Sequence, residues 1–376
     1  MTTTHEREYL HAMLREIHEQ PDVLRRTLNC YTEKNGLRIE KFSAGLSDLA
    51  SRERILIAAS GSSRHAGLVG EILIEDLSGL PVDVEYASEY IYRSTRTLGS
   101  LCVVVLSQSG ETADTLEVLR EAKLQGSTTV AITNHSESAM ARLADCSLPT
   151  PAGIERAVPA TKSFTAQLLV MNLFALYAGR VRGAMTAAAV GERIEGMAEL
   201  PDRLEQALPA WQRQISELAP TLEQVSTYLF LGRGIHFPIA REGALKLKES
   251  AYLAAEGYPA GELKHGPNAL VGDRAALVVL ATQDASSSDS RLRYQKTVQL
   301  LRDMRQQGAR VVAIATEGDQ LVPNLSTHTI FVPACSEHLA PLLEVVPLQL
   351  LAYFTAIHRG INVDAPRNLA KAVLVE

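Results

Sequence analysis

Cysteine is scarce, with four in 376 residues. Cys30, Cys102, Cys146 and Cys335 lie far apart and form no C-x-x-C pair, which excludes a disulfide framework and points to reduced core thiols of a cytosolic protein. Among the ten histidines there is no H-E-x-x-H pair, so neither a metal nor a cofactor is expected. Positive charge is not in excess. Lys and Arg number 37 against 43 Asp and Glu, and the net charge of -6 gives no electrostatic reason to expect nucleic acid or an anionic membrane as partner. Any anion site must therefore be local. The longest apolar stretch, around Leu168 to Ala178, is too short to span a bilayer and reads as a buried helix. The first eight residues are too polar for a secretory signal. No G-x-x-x-x-G-K-[ST] is present, which argues against a nucleotide triphosphate, and Gly232-x-Gly234 lacks the third glycine of a dinucleotide fingerprint.

What is present is a full apolar core, 46% hydrophobic against 21% charged residues, arranged as strands that alternate with helices. Arg54 to Ser60, Leu101 to Leu106 and Thr128 to Thr133 are continuous apolar runs, the pattern of strands buried on both faces of a parallel sheet. Helical patterns cover Gly67 to Leu77 and Thr112 to Gln125, the latter stopped by Gly126. The unit then recurs. Leu119–Ile132 aligns with Leu301–Ile314, sharing Leu-Arg, an acid, a base, Gln-Gly and Val-Ala-Ile, while Leu101–Ser107 matches Ala275–Thr282 and Ile55–Gly61 matches Tyr228–Gly232. The expected fold is α/β, two flavodoxin-like doubly wound parallel-sheet subdomains. Expected bounds are a helical lead-in over 1–45, a first subdomain over 46–195, a helical linker over 196–218 and a second subdomain over 219–376. The linker belongs to a longer helical stretch, Gly183 to Leu218, read as broken at Pro201 and Pro209.

Two places carry chemistry. Ser107-Gln108-Ser109-Gly110-Glu111-Thr112 follows a strand and precedes a helix, where free backbone N–H groups favour an anion. Ser62 and Ser63 follow the preceding strand and add hydroxyls to the same crevice. These hydroxyls also suit plain helix caps. The second copy reads Thr282-Gln283-Asp284-Ala285-Ser286, without the glycine and with an acid, so only the first copy is suited to an anion. Further on, Glu242, Lys246 and Glu249 recur at i, i+4 and i+7 and share one helical face, and His265 follows on the loop Gly261–Pro267. That set can move protons on a carbon skeleton. The alternatives are a surface ion pair for Glu242 and Lys246, and a turn residue for His265.

These motifs resemble the isomerase half of the glucosamine-6-phosphate synthase family, glutamine:fructose-6-phosphate amidotransferases whose isomerase half is two sugar-isomerase (SIS) domains. The resemblance runs through Leu106–Thr115, Leu231–Gly234, Ile239–Glu249, Gly261–Pro267, Val346–Tyr353 and Pro366–Lys371, nearly the whole chain. S-Q-S-G-E-T marks any SIS domain; E-G-A-L-K-L-K-E with G-E-L-K-H-G-P is far more specific. The resemblance implies that Ser62, Ser63, Ser107, Gln108, Ser109 and Thr112 bind the sugar phosphate, with the backbone at Val158 and Ala370 lining the site. It implies that Glu249 shuttles a proton between C1 and C2, and that His265 opens the sugar ring from a neighbouring subunit of a homodimer. Lys371 would meet the open-chain carbonyl, though a terminal lysine is ordinarily a solvated charge. Lys246, one turn before Glu249, would steady the enediol or enolamine.

The synthase begins with a glutaminase domain whose cysteine follows the initiator methionine. Here position 2 is Thr, so this polypeptide is expected to use free ammonia, to receive it from a separate glutaminase, or to run in reverse as a glucosamine-6-phosphate deaminase. Ala160 stands where the synthase has Ser, and Ser60 where it has Cys. A non-catalytic sugar-phosphate sensor and an isomerase for another sugar phosphate are the competing readings.

Overall fold

The computed structural model describes residues 9–34, 36–43, 45–46, 48–93 and 101–371. Two helices, α1 (Ala12–His18) and α2 (Gln20–Tyr31), open the described chain. The first sheet follows, as β1 (Arg54–Ala59), α3 (Gly61–Ser78), β2 (Val82–Tyr86), β3 (Leu101–Ser107), α4 (Ala113–Leu124), β4 (Thr128–Thr133) and β5 (Cys146–Pro149). Two long helices, α5 (Lys162–Val181) and α6 (Ala187–Thr221), lead to the second sheet. That sheet comprises β6 (Thr227–Gly232), α7 (His236–Ala251), β7 (Ala254–Pro259), β8 (Ala275–Ala281), α8 (Ser288–Gln306), β9 (Arg310–Thr316) and β10 (His328–Val332), and α9 (Ala340–His358) completes the order.

The strand orders are β2-β1-β3-β4-β5 and β10-β9-β8-β6-β7, all parallel, so both halves have the 2-1-3-4-5 order expected of a flavodoxin-like unit. In each half the order reverses between the first and third strands. Loops leaving their carboxyl ends therefore diverge and open a crevice. Ala59 pairs with Leu106, which places the segments after β1 and β3 side by side.

The strands fall where the continuous apolar runs put them, but two helices differ from expectation. Helix α3 begins at Gly61, six residues before the predicted start at Gly67, with Ser60 extended at its N-cap. Gly and Ser are weak helix formers, so Gly61-Ser62-Ser63 reads as loop, yet these residues make the first turn. Helix α6 runs unbroken through Pro201, Pro209 and Pro220. Its buried residues Ile194, Met197, Leu200, Leu204, Leu208, Trp211, Ile215 and Leu218 recur every three or four positions and pack on α2 and α9, and this apolar face carries the helix past each missing N–H.

Helix α5 is longer than the apolar stretch that announced it. The segments Lys162–Val181 and Glu337–His358 are both long and apolar enough to cross a membrane, but 89% of the most apolar 18 residues of each is buried inside the protein. Helix α5 packs on α3 so closely that a Cβ on Gly179 would lie 2.5 Å from the Leu77 carbonyl oxygen. Helix α7 packs on both α9 and α3, and that last contact joins the two halves.

Candidate active site

The hydroxyl-rich loop after β3 closes on itself. Ser107 Oγ lies 2.9 Å from Thr112 Oγ1 and 3.4 Å from Ser109 Oγ, while the Gly110 N–H donates to Ser107 Oγ and the Glu111 N–H to Ser109 Oγ. Thr112 occupies the N-cap of α4 without a side-chain cap bond, so its hydroxyl turns into this cluster rather than serving as the plain cap considered above. Gly110 is required for two reasons. Its φ is +67°, and a Cβ there would lie 2.2 Å from Ser138 Oγ. The close approach it permits is thus to Ser138. Gln108 is half-buried, its backbone carbonyl accepting from the Asn134 N–H.

Beside this loop, the first turn of α3 reaches into the other half. Ser62 donates to Glu242 Oε1 at 2.9 Å and accepts from Lys246 Nζ at 3.1 Å, and Ser63 accepts from Gln167 at 3.0 Å. His65 Nδ1 lies 2.8 Å from Glu242 Oε2. On α7, Lys246 Nζ is 3.4 Å from Glu242 and 2.6 Å from Glu249 Oε2. Side-chain exposure rises along this row from 0% at Glu242 and 1% at Lys246 to 22% at Glu249, so the pair is no surface ion pair and Glu249 is the member that reaches open space. Burial alone would raise the Glu242 carboxyl, but Lys246, His65 and Ser62 outweigh it and hold it below the usual carboxylate range. Burial would likewise lower Lys246, and the two carboxylates push it above the ordinary lysine range instead. Lys246 is therefore a fixed positive charge, suited to steadying an anion and not to taking a proton.

The C-terminal tail supplies a third group. Lys371 Nζ donates to Glu155 Oε2 at 2.7 Å and to the Ala157 carbonyl at 2.5 Å, which brings Ala370 beside the segment that holds Val158. The Val158 N–H donates to the Asp364 carbonyl. Lys371 is thus an anchored, three-quarters buried cation and not a solvated terminal charge. Its partner Glu155 also accepts from the Thr161 N–H and from the Ser163 N–H and hydroxyl at the start of α5. Burial would raise Glu155, but Lys371 and these donors hold it down. The charge of Glu155 also helps raise Lys246, which ties tail and helix into one field. Glu16 accepts from the Arg156 and Ala157 N–H groups and holds this segment from behind, its own carboxyl pushed up to about 7 by burial.

His265 stands apart. Its ring is exposed on the loop after β7, and none of the hydrogen bonds or ion pairs of the Glu242 cluster includes it. The sequence singled out none of His65, Gln167 and Glu155, and placed Glu242 in the proton-moving set without a role of its own. Polar residues on the apolar faces of α3 and α5 were the available signal.

The equivalent crevice in the second half has room, a hollow of about 460 Å³ lined by Gln283, Asp284, Ser286, Thr316, Glu317 and Asp319. Its carboxylates repel an anion. Asp284 already accepts from the Ser286 N–H and hydroxyl at 2.9 and 2.6 Å, the donors a phosphate would need. Behind it, buried His236 lies between Glu344 at 2.8 Å and Glu337 at 3.3 Å. Burial would lower this imidazole, but the two carboxylates push it up to about 9. A histidine raised on folding stabilises the fold below its unfolded value of about 6.5 and loses that contribution as pH rises through about 9. Thermal melts between pH 6.5 and 9.5 are expected to show Tm falling in the wild type, with a flatter profile in His236→Gln; parallel profiles would show that the cluster carries no such linkage.

A family model for the SIS domain matches residues 48–177 and 221–359. The chain is 42% identical over 372 residues to glutamine–fructose-6-phosphate aminotransferase [isomerizing] of Gloeobacter violaceus, covering 98% of this chain and 59% of that protein. The chain thus spans less than two thirds of that relative. The solved C-terminal domain of glucosamine-fructose-6-phosphate aminotransferase from Francisella tularensis superposes with a TM-score of 0.88 at 33% identity, over 95% of this chain and 99% of that one. Glucosamine-6-phosphate deaminase from Thermotoga maritima shares the fold, with a TM-score of 0.69 at 23% identity over 97% of this chain and all of that one. With two matched regions, two sheets of one topology and a solved counterpart over 95% of its residues, the chain belongs to the SIS-domain family.

Proposed function

We propose that the chain is an aldose–ketose isomerase for a hexose phosphate, interconverting fructose 6-phosphate plus ammonia with glucosamine 6-phosphate. The observation that carries this reading is the Glu242–Lys246–Glu249 row, buried at one end, open at the other and bonded through Ser62 to the turn beside the hydroxyl-rich loop. In this reading the loop hydroxyls and backbone N–H groups of Ser107, Gln108, Ser109 and Thr112, with the backbone N–H groups of Ser62 and Ser63 in the first turn of α3, grip the phosphate. The opened sugar forms an imine at C2, to Lys371 and then to ammonia, with loss of water. Glu249 takes a proton from C1, Lys246 steadies the resulting enolamine, and Glu249 returns the proton to C2. The names of the relatives support this substrate pair. Nitrogen enters as ammonia, free or passed on by a glutaminase partner. His265 on its exposed loop completes the crevice of a second copy in a homodimer, with Val158 and Ala370 lining the sugar.

A sensor need not retain Glu249, His265 and Lys371 together, and all three are present. Incubating the chain with glucosamine 6-phosphate is expected to release ammonia and fructose 6-phosphate, and the reverse mixture with ammonium to form glucosamine 6-phosphate. No turnover in either direction would refute the proposal. Calorimetry with fructose 6-phosphate is expected to give one site per chain, weakened about tenfold or more by Ser109→Ala combined with Thr112→Val. Two sites per chain would contradict the reading that Asp284 blocks the second crevice.

A further inference from the structure

The phosphate-side turn and the acid–base helix come from opposite halves of the chain, and their contact is concentrated on one carboxylate. Glu242 is 0% exposed. Its Oε1 takes the Ser62 hydroxyl at 2.9 Å and the Lys246 ammonium at 3.4 Å. Its other oxygen, Oε2, faces His65 Nδ1 at 2.8 Å. An ionised carboxylate only accepts, so the proton of this bond sits on Nδ1. Without His65 the carboxylate keeps partners on one oxygen only and is free to turn about its last bond, carrying the Lys246 ammonium with it. Lys246 in turn sets the position of Glu249, 2.6 Å away. A displacement of about 1 Å at a reacting group costs on the order of 10²-fold in rate, so a residue that never touches the sugar can still govern turnover.

We propose that His65 is a positioning residue for proton transfer, locking Glu242, and through it Lys246 and Glu249, in register with the phosphate-gripping turn of α3. The inference rests on the isomerase reading above and adds a coupling between its two halves. His65 is 8% exposed and lines a cleft of about 410 Å³ between the halves with Gly61, Tyr86, Arg241 and Tyr258, so the polar substitutions below have room to be hydrated.

The test compares two polar replacements. The amide nitrogen of His65→Asn lies near the place of Nδ1, and that of His65→Gln near the place of Nε2. His65→Gln is expected to lower kcat by about 10–100-fold with KM for the sugar phosphate changed less than about threefold, and His65→Asn to stay within about fivefold of wild type. Equal activity of the two variants, or a loss that appears in KM alone, would overturn the proposal. A double-mutant cycle of His65→Gln with Glu242→Gln, read by urea denaturation, is expected to show coupling, and strict additivity would also overturn it. A wild-type chain inert toward both sugar phosphates would remove the isomerase reading and this role with it. An active wild type with unimpaired His65→Gln removes the role of His65 alone.

Discussion

Glu249→Gln is expected to lower kcat by about 10²–10⁴-fold while leaving KM for the sugar phosphate within a few-fold of wild type. The substitution keeps size and hydrogen-bonding capacity but removes the ability to take a proton. Glu249 is the exposed end of a row whose inner members, Glu242 and Lys246, are sealed from water. Lys246 cannot replace it, because the two flanking carboxylates raise its affinity for its proton. Exchange of the C1 and C2 hydrogens with deuterated solvent, followed by NMR, should vanish in parallel with turnover. A variant that retains exchange at the wild-type rate would show that the proton is carried by another group.

Lys371→Met is expected to abolish imine trapping by borohydride and to reduce turnover by about 10² or more. It should also destabilise the protein, because Glu155 is left as a buried carboxylate without its cation. Breaking a fully buried pair costs about 3–5 kcal/mol; Lys371 is 26% exposed, so a smaller loss is expected. The double variant Lys371→Met with Glu155→Gln separates the two effects. Thermal melts should show most of the lost Tm restored, since the orphaned charge is gone, while activity stays absent. Recovered activity in the double variant would mean that Lys371 serves only to neutralise Glu155.

The sheets could be read from sequence because a strand buried on both faces writes itself as an unbroken apolar run, as in Leu101–Leu106 and Thr128–Thr133. The loop after β3 was equally readable, since its hydroxyls act within six residues of one another. What could not be read was set by distant partners. Ser62 reads as a loop residue, but it stands in the first turn of a helix and its hydroxyl bonds a carboxylate 180 residues away. Glu242 and Lys246 have the spacing of any exposed helical ion pair. The packing of α7 against α3 and α9 makes them a dry cluster. Lys371 owes its place to Glu155, 216 residues earlier. Helix α6 defied its prolines because burial along one side outweighs three local penalties. His265 stands outside the Glu242 cluster within one chain, and its proposed role rests on a second copy that a single chain does not supply.

The bond from Ser62 to Glu242 has a consequence for the repeated architecture of this molecule. Although two similar units make up the chain, neither is self-sufficient. Severed from its neighbour, the later unit would present a raw acid and amine to bulk water, while in the proposed reaction the earlier one would be left with a phosphate grip and nothing with which to transform the sugar. The two copies of the recurring unit are joined by bonds that neither copy makes alone.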